Sequence, residues 1–416
     1  MRTASATRTS GTSARSPRCS ASPTAWPTRC RCSPTPSSSC SAGCPRPRAD
    51  TCAAACAARH QQPCASPQRG HRAVLADAGA GPARAGHSSA RGGQDLDRRL
   101  EEAAWVDAVT VSVGWLPGKL RDARFDRRLR QLKAARNWYP LVALNQTGAA
   151  DIAICGSNHP AYLAAMGRGA GWWDRRKMAL ERAHLQNSRV IVAHSRLLAD
   201  QVVEHYGVDA AKIHVAYPPV DTDRFRPVDP ARRRALRSAL GVDEAQCAFL
   251  LASTGHARKG LDLAVEALRG RGAVLLVAGR PPDVQAPHVR YVGYRTAMEE
   301  IYPAADFTFM PSRYEPFGLV GIESVLCGTP VLVERRVGCA ETLDDEAALR
   351  FDADHPESVA AAVDAALDRL RSGRARLAQP LRHIGYAPDT QAHLDTLLAW
   401  VERLKASSSA DPTEPT

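Results

Sequence analysis

The stretch that decides the fold runs from residue 306 to 333 and reads DFTFMPSRYEPFGLVGIESVLCGTPVLV. Its apolar run at 307–310 predicts a buried strand, and 319–327 predicts a helix that ends before a second apolar strand. Such a strand, helix and strand form a βαβ crossover. Two carboxylates, Glu315 and Glu323, lie eight residues apart on either side of the strand-to-helix turn.

The turn itself is suited to an anion. The first N–H groups of a helix have no partner within the helix, so a phosphate can bind there. We expect it to lie near three consecutive residues, Phe317, Gly318 and Leu319. Because nearby carboxylates accept hydrogen bonds from hydroxyls, the turn predicts a ligand with both phosphate and sugar, such as a nucleotide sugar.

A second loop, 253–260, reads STGHARKG and stands between a predicted strand and a predicted helix. It places Arg258 and Lys259 at a helix N-terminus. Two cations and the helix dipole can together neutralise a leaving diphosphate without a metal ion. A loop exposing two solvated basic residues is the alternative.

Short apolar runs and amphipathic stretches alternate along the chain from about residue 96. The predicted strands are 106–113, 139–144, 151–155, 189–193, 213–216, 248–252, 273–278 and 290–292. The predicted helices are 125–135, 173–187, 196–206, 232–240, 261–268, 296–302 and 390–404. This alternation predicts an α/β protein with parallel sheets covered on both faces.

A proline-rich connector at 217–227 divides the alternation in two. We therefore expect two Rossmann-like parallel-sheet domains facing a cleft, the usual ligand site of open α/β folds. The expected divisions are an acceptor-side domain at 95–220, a nucleotide-sugar-binding domain at 228–385, a packing helix at 388–405 and a frayed tail at 406–416.

The first 94 residues differ from the rest of the chain. The 416-residue chain has a formal net charge of +12, and thirteen arginines against Asp50 and Asp77 place +11 of it here. Eight of the twelve cysteines lie here too, whereas Phe, Tyr and Ile are missing. Such a composition cannot build a packed core, so we expect this segment to be disordered and the first domain to be incomplete.

Three origins of residues 1–94 stay open. The cysteines could form a disulfide or zinc framework, although no histidine pair follows them. An Arg- and Ser-rich, acid-poor segment also fits an organelle transit peptide. We favour the third, translation of GC-rich DNA in the wrong frame, because it yields Arg, Ala, Pro, Ser, Thr and Cys without periodicity. In that case the chain would lack native strands of its first sheet and could be inactive.

No apolar run reaches the roughly 18 residues of a transmembrane helix. The four later cysteines are scattered and predict buried side chains in a reducing compartment. Trp172 and Trp173 precede three basic residues at 175–177. This cluster could seat the protein on an anionic lipid surface, or the tryptophans could simply pack in the core.

Taken together, the two loops resemble the retaining glycosyltransferases of family 4, which have the two-domain GT-B architecture. The family's Glu-x7-Glu motif is matched by Glu315 and Glu323 in EPFGLVGIE, and its basic loop by 258–262, RKGLD. The resemblance covers about residues 150–405 and is closest to the lipopolysaccharide-core glucosyltransferase branch, which has a similar adjacent Arg and Lys.

The resemblance implies a role for each matched residue. Glu323 would bind the ribose hydroxyls, Glu315 the transferred sugar, and Arg258 with Lys259 the diphosphate. The backbone from Phe317 to Val320 would bind the distal phosphate and the sugar. In the first half of the chain, His159 would orient or deprotonate an acceptor hydroxyl, or offer its backbone to the sugar.

Two further residues follow strand ends on the same side. Arg280 in VAGR and Tyr294 could flank the nucleotide base, although plain turns are the alternative. Asp221 and Asp223 lie in the connector, so no metal ion is implied.

The expected activity is retaining transfer of a hexose from a UDP- or GDP-sugar to a glycan or glycolipid hydroxyl. The expected location is cytoplasmic, with peripheral contact to the inner membrane face. Two alternatives stay open: a degenerate nucleotide-sugar-binding protein and a sugar-nucleotide epimerase of similar architecture. We expect no nucleic-acid partner, because the positive charge lies in residues 1–94 rather than on a patterned face.

Overall fold

A computed structural model describes residues 73–76, 90–93 and 107–410. All of them belong to one compact unit, Gln68–Thr416. Two sheets with helices between and around them make up this unit, as the alternation of strands and helices predicts.

The first sheet has the strand order β3-β2-β1-β4-β5-β6-β7. Its strands are β1 (Ala73–Ala76), β2 (Ala90–Gly93), β3 (Asp107–Thr110), β4 (Leu141–Ala143), β5 (Ile152–Cys155), β6 (Val190–Ala193) and β7 (Ile213–Val215). Strands β4 to β7 are parallel, but β1 is antiparallel to both of its neighbours. The prediction of a parallel sheet therefore holds for β4 to β7 and is wrong at β1.

Strands β1 and β2 also correct the prediction that residues 1–94 have no fold. Eight residues of that segment form strands of the sheet. An apolar run, AVLA, is long enough for a four-residue strand even where the surrounding composition is unusual. The other residues of the segment lie outside the described part of the chain.

The second sheet is parallel throughout, with the order β10-β9-β8-β11-β12-β13. Its strands are β8 (Cys247–Ser253), β9 (Ala273–Gly279), β10 (Val289–Gly293), β11 (Phe307–Met310), β12 (Val331–Glu334) and β13 (Ala348–Phe351). This is the 3-2-1-4-5-6 order of a Rossmann sheet, in which the order of the strands reverses between β8 and β11 while all strands stay parallel. The loops after β8 and β11 therefore flank the position where such sheets bind ligands.

The α-helices include those predicted, apart from 296–302, and also three at positions where no helix was predicted, 159–165, 256–259 and 356–371. They are α1 (Gly118–Arg136), α2 (His159–Ala165), α3 (Trp172–Asn187), α4 (Arg196–Tyr206), α5 (Pro230–Ala239), α6 (His256–Lys259), α7 (Leu261–Ala267), α8 (Leu319–Leu326), α9 (Pro356–Arg371) and α10 (Thr390–Ala410). Ser195 caps α4 by accepting the N–H of Leu198 at 3.0 Å.

Two helix predictions are corrected. The predicted helix at 296–302 is instead two short 3-10 segments, Met298–Glu300 and Tyr302–Ala304. Pro303 has no N–H to donate, so a regular helix cannot continue through it. At the other end of the chain, α10 continues to Ala410, so residues 406–410 are helical rather than frayed.

The last helix packs on the first sheet although it follows the second. Val401 is fully buried in an apolar cluster with Val142, Ile152 and Val192 of β4, β5 and β6. The cysteines at 155, 247, 327 and 339 are free, and their predicted burial is confirmed. Burial raises the pKa of each of these thiols to about 12.

Candidate active site

Glu315 follows β11 and lies at the centre of the site. Its carboxylate accepts a hydrogen bond from Arg258 Nη1 at 2.8 Å and a second from Lys259 Nζ. Arg258 also donates to the carbonyl of Tyr314 at 2.9 Å. The loops after β8 and β11 thus join through one carboxylate and two cations.

The electrostatics of this group favour the ionised carboxylate. Burial alone would raise the pKa of Glu315, but the charges of Lys259 and Arg258 and their hydrogen bonds outweigh it and hold the pKa below 4.5. Only 11% of the Lys259 side chain is exposed, against 32% for Arg258. Because this pair is shielded from water, it acts more strongly on a nearby charge than surface cations would.

Two glycines allow the loops to approach closely. Gly260 has φ +69°, and a Cβ there would lie 2.0 Å from the carbonyl oxygen of Pro311. At Gly338 a Cβ would lie 2.0 Å from the carbonyl oxygen of Pro316. Any side chain at either position would push the loops apart, so glycine is required at both.

The helix α8 begins beside Glu315 with an open N-terminus. Its cap, Gly318, has φ +93° and provides no side-chain hydrogen bond. Leu319 is 41% exposed at the first helical position, whereas Phe317 is buried against Tyr217 and Tyr386. Residues 317–320 can therefore offer backbone N–H groups to a ligand, while the Phe317 ring belongs to the core.

Glu323 lies on α8, one turn further along. It accepts a hydrogen bond from the Tyr302 hydroxyl at 2.6 Å. Burial raises the pKa of Glu323, and the charge of Glu299 adds to this, while the Tyr302 hydroxyl and the charges of Arg224 and Lys259 act in the opposite direction. The side chain retains acceptor capacity because a carboxylate has about four lone-pair sites.

Across from these loops, His159 begins α2 after the end of β5. Its ring Nε2 lies 2.8 Å from Asp174 Oδ1, and its backbone N–H donates to Glu181 Oε2 at 2.8 Å. The hydrogen bond from His159 lowers the pKa of Asp174. A backbone role for His159 toward a sugar would thus have to compete with Glu181, whereas Nδ1 of the ring is not engaged by Asp174.

Glu181 is itself a buried carboxylate, only 1% exposed. It accepts hydrogen bonds from the Tyr206 hydroxyl and from Gln146 Nε2, the latter at 2.6 Å. Burial raises its pKa despite these partners. Glu181 lines a cavity of about 220 Å³ with Asn145 after β4, Ser157 after β5 and Lys177 of α3.

Hydrogen bonds connect the two halves of the cleft. The Tyr314 hydroxyl accepts from Asn158 N–H at 2.7 Å and donates to Asn158 O at 2.9 Å. Ser195 Oγ donates to Pro316 O at 2.6 Å. Glu341 accepts the N–H of Arg196 at 2.7 Å at the start of α4.

Arg280 and Tyr294 lie at the ends of neighbouring strands, β9 and β10. Arg280 is exposed and its backbone N–H donates to Ser253 O at 3.0 Å, while Tyr294 is 55% exposed. Since β9 and β10 are parallel to β8, both residues share the edge of the sheet that carries Arg258 and Lys259.

The sequence alone did not identify the residues that form hydrogen bonds with the predicted site residues or lie next to them. Tyr302 and Asn158 are ordinary in composition and sit in a 3-10 segment and at a helix cap. Tyr314 directly precedes Glu315, which was the one available signal. Asp174 and Glu181 lie at positions i and i+7 of α3, so helical spacing could have suggested that they share a face.

The described part of the chain contains neither a metal-binding cluster nor a membrane-spanning helix. Residues 73–76, 90–93 and 107–410 contain no group of three or more His, Cys, Asp or Glu side chains placed to hold a metal ion. No helix within the same residues has the length and apolar character to cross a bilayer.

The fold and the site define a class, the glycosyltransferases with two Rossmann-like domains. Two family profiles match the chain: Glycosyltransferase Family 4 at residues 66–224 and Glycosyl transferases group 1 at residues 247–369. The chain belongs to glycosyltransferase family 4 and is a glycosyltransferase enzyme of the GT-B type. The first match starts at residue 66, inside the segment that the composition sets apart.

Similar proteins support this assignment. A probable transglycosylase of Burkholderia thailandensis is 41% identical over 329 residues, which span 78% of this chain and 89% of that protein. A D-inositol 3-phosphate glycosyltransferase of Xylanimonas cellulosilytica is 36% identical over 220 residues, 47% of this chain and 52% of that protein. The chain thus spans about half of the second relative.

Solved structures share the fold. WaaG, a glycosyltransferase involved in lipopolysaccharide biosynthesis, matches with a TM-score of 0.59 and 19% identity over 74% of this chain and 88% of its own. HepE of Anabaena, solved in complex with UDP and glucose, matches with a TM-score of 0.57 and 16% identity over 73% and 88%.

Proposed function

We propose that this glycosyltransferase transfers a hexose from a UDP- or GDP-sugar to a hydroxyl of a glycan or glycolipid, with retention of configuration. One observation carries the proposal: the Glu315 carboxylate lies between Arg258 and Lys259 at the open N-terminus of α8. Groups for a sugar hydroxyl and for a diphosphate are therefore adjacent.

The donor would bind by dividing its groups among these residues. Arg258 has five N–H donors and Lys259 has three, so each can hold Glu315 and still reach a diphosphate. The N–H groups at 317–320 would bind the distal phosphate and sugar, Glu315 the sugar hydroxyls and Glu323 the ribose. Arg280 and Tyr294 would flank the base.

Transfer would take place on one face of the sugar. The bond from the anomeric carbon to the phosphate oxygen breaks while the acceptor oxygen forms its bond to the same carbon. The acceptor proton passes to the leaving phosphate oxygen. Arg258, Lys259 and the α8 dipole stabilise the charge that grows on the diphosphate, so no metal ion is needed.

The acceptor would enter from the first domain. His159 lies at its edge with Asp174 fixing the ring, an arrangement that orients an acceptor hydroxyl. The polar cavity of about 220 Å³ beside Glu181 offers hydrogen-bond partners to a hydroxylated ring. We further propose that the protein works in the cytoplasm at the inner membrane face, because a glycolipid acceptor would be presented there.

The test begins with calorimetry of the full chain with UDP and with GDP, with and without a chelator. Transfer is then measured from UDP- and GDP-hexoses to glycan and glycolipid acceptors, and the anomeric configuration of the product is determined by NMR. The proposal predicts chelator-insensitive binding and a retained linkage. Binding without transfer would identify a degenerate protein, and conversion of the donor to an epimer without acceptor would identify an epimerase.

A further inference from the structure

An exposed aromatic and basic surface lies on the first domain, beside the acceptor side of the cleft. It comprises the turn before α1 and the first turns of α1 and α3. Three tryptophans are exposed there: Trp115 by 71%, Trp172 by 56% and Trp173 by 39%. Because tryptophans are usually well buried, three exposed ones on neighbouring segments mark an interaction surface.

Several contacts show that these segments form one surface. Lys119 Nζ lies 5.1 Å from the centroid of the Trp173 ring, which joins α1 to α3. The rings of Trp172 and Trp173 are 4.2 Å apart, edge to face. Arg121 of α1 donates to the carbonyls on both sides of Trp115, at 2.9 and 2.8 Å.

The charge of the surface is positive. Arg176 Cζ lies 5.0 Å from the centroid of the Trp172 ring, so its guanidinium stays at the exposed face. Further exposed cations follow on both sides: Arg168, Arg175 and Lys177. The one acidic residue in the first turn of α3, Asp174, is already engaged with His159.

We infer that this surface docks on an anionic lipid bilayer. Tryptophan rings settle at the depth of lipid headgroups, since one part of the ring is apolar and the N–H stays wet. Lysine and arginine next to them are attracted to anionic headgroups. The inference rests on the proposed placement at the membrane and is independent of the transfer chemistry.

The position of the surface relative to the site supports a lipid rather than a soluble occupant. Asp174 directly follows Trp173 in α3 and holds the ring of His159 at 2.8 Å. Trp173 is thus adjacent in sequence to the residue that holds His159, which is proposed to orient the acceptor. A lipid-linked acceptor could reach the cleft without leaving the membrane.

The experiment is sedimentation of the full chain with vesicles of phosphatidylcholine alone and with added phosphatidylglycerol. We expect binding to the anionic vesicles, and we expect it to weaken as salt is raised. The two variants are Trp172→Ala/Trp173→Ala and Arg175→Glu/Arg176→Glu. We expect each to reduce the affinity for anionic vesicles at least about tenfold. Arg371→Glu/Arg374→Glu carries the same charge change on exposed residues of the second domain and should bind like the wild type.

UDP calorimetry and circular dichroism on each variant separate docking from folding and from donor binding. Retained UDP affinity with lost vesicle binding supports the inference. The inference is overturned if the protein binds neither kind of vesicle or binds both equally. It is also overturned if both the tryptophan variant and the arginine variant bind like the wild type. A tryptophan fluorescence shift with soluble polysaccharide only would overturn it as well. If vesicles bind but UDP does not, the proposed transfer fails and the docking surface stands.

Discussion

The Tyr314 hydroxyl forms two hydrogen bonds with the backbone of Asn158, accepting its N–H at 2.7 Å and donating to its carbonyl at 2.9 Å. Tyr314 precedes Glu315 in the chain, and Asn158 precedes His159. One side chain therefore links the donor-side carboxylate to the acceptor-side histidine. Both bonds are buried, since Asn158 is fully buried and Tyr314 is 9% exposed.

We predict that Tyr314→Phe lowers kcat for transfer by about 10- to 100-fold, because the two reacting partners lose a fixed separation. UDP affinity should stay within about twofold of the wild type, since Arg258, Lys259 and Glu323 are untouched. Steady-state kinetics and calorimetry measure the two effects. Tyr139→Phe is the control: it removes a hydroxyl 3.5 Å from Leu404 O, away from the cleft. Unchanged kcat in Tyr314→Phe would exclude the positioning role.

We predict that Glu315→Gln lowers transfer by about 100-fold or more, as loss of a group acting on the transition state does. The substitution keeps the size of the side chain but leaves Arg258 and Lys259 without their anionic partner. The initial rate of transfer is the measurement. Glu266→Gln, an exposed helix glutamate paired with Arg269, is the matched control and should be as active as the wild type. Equal activity of both variants would remove Glu315 from the mechanism.

The raised pKa of Glu323 predicts a pH dependence of donor binding. Burial favours the protonated form, so the carboxyl gains its proton at a pH above its usual 4.5 as pH falls from neutrality. The ionised form accepts both ribose hydroxyls, so UDP affinity should weaken through this range. Calorimetry with the wild type and with Glu323→Gln checks this, since the ratio of the two affinities cancels the titration of UDP itself. A ratio that does not vary with pH would contradict the assignment.

The two carboxyls of the motif should affect stability in opposite directions. Glu315, with its lowered pKa, stabilises the fold above pH 4.5, and that contribution disappears as pH falls through its folded-state pKa. Glu323, with its raised pKa, stabilises the fold below pH 4.5, and its contribution disappears as pH rises through its folded-state pKa. Urea unfolding of Glu315→Gln and Glu323→Gln against pH should give differences from the wild type of opposite slope. Slopes of the same sign would be inconsistent with these environments.

We predict that Gly260→Ala destabilises the fold by about 3 kcal/mol or more, because the methyl group would overlap the Pro311 carbonyl. Gly272→Ala is the matched control. Its φ is also +69°, but nothing lies within 4 Å of the added Cβ, so only the left-handed backbone costs about 1 kcal/mol. Chemical denaturation gives both values. Equal losses would mean that the loops are not held together at Gly260.

Much of the second domain was predictable from local pattern. The apolar runs of β8, β9 and β11 are buried on both faces, so they read as short continuous hydrophobic segments between turns. The first sheet was harder. Strand β1 pairs antiparallel with β2 and β4, and no pattern within four residues encodes the direction of a partner strand.

The sequence alone determined the βαβ unit at 306–333, the positions of Glu315 and Glu323 on it, and the basic loop at Arg258 and Lys259, because periodicity and helix-end chemistry are local properties. Only the tertiary structure decided which groups meet. Glycines at 260 and 338 allow the loops to touch, and contacts such as Tyr314 to Asn158 join residues 156 positions apart. Such pairings depend on how strands and helices pack in three dimensions, which no local pattern specifies.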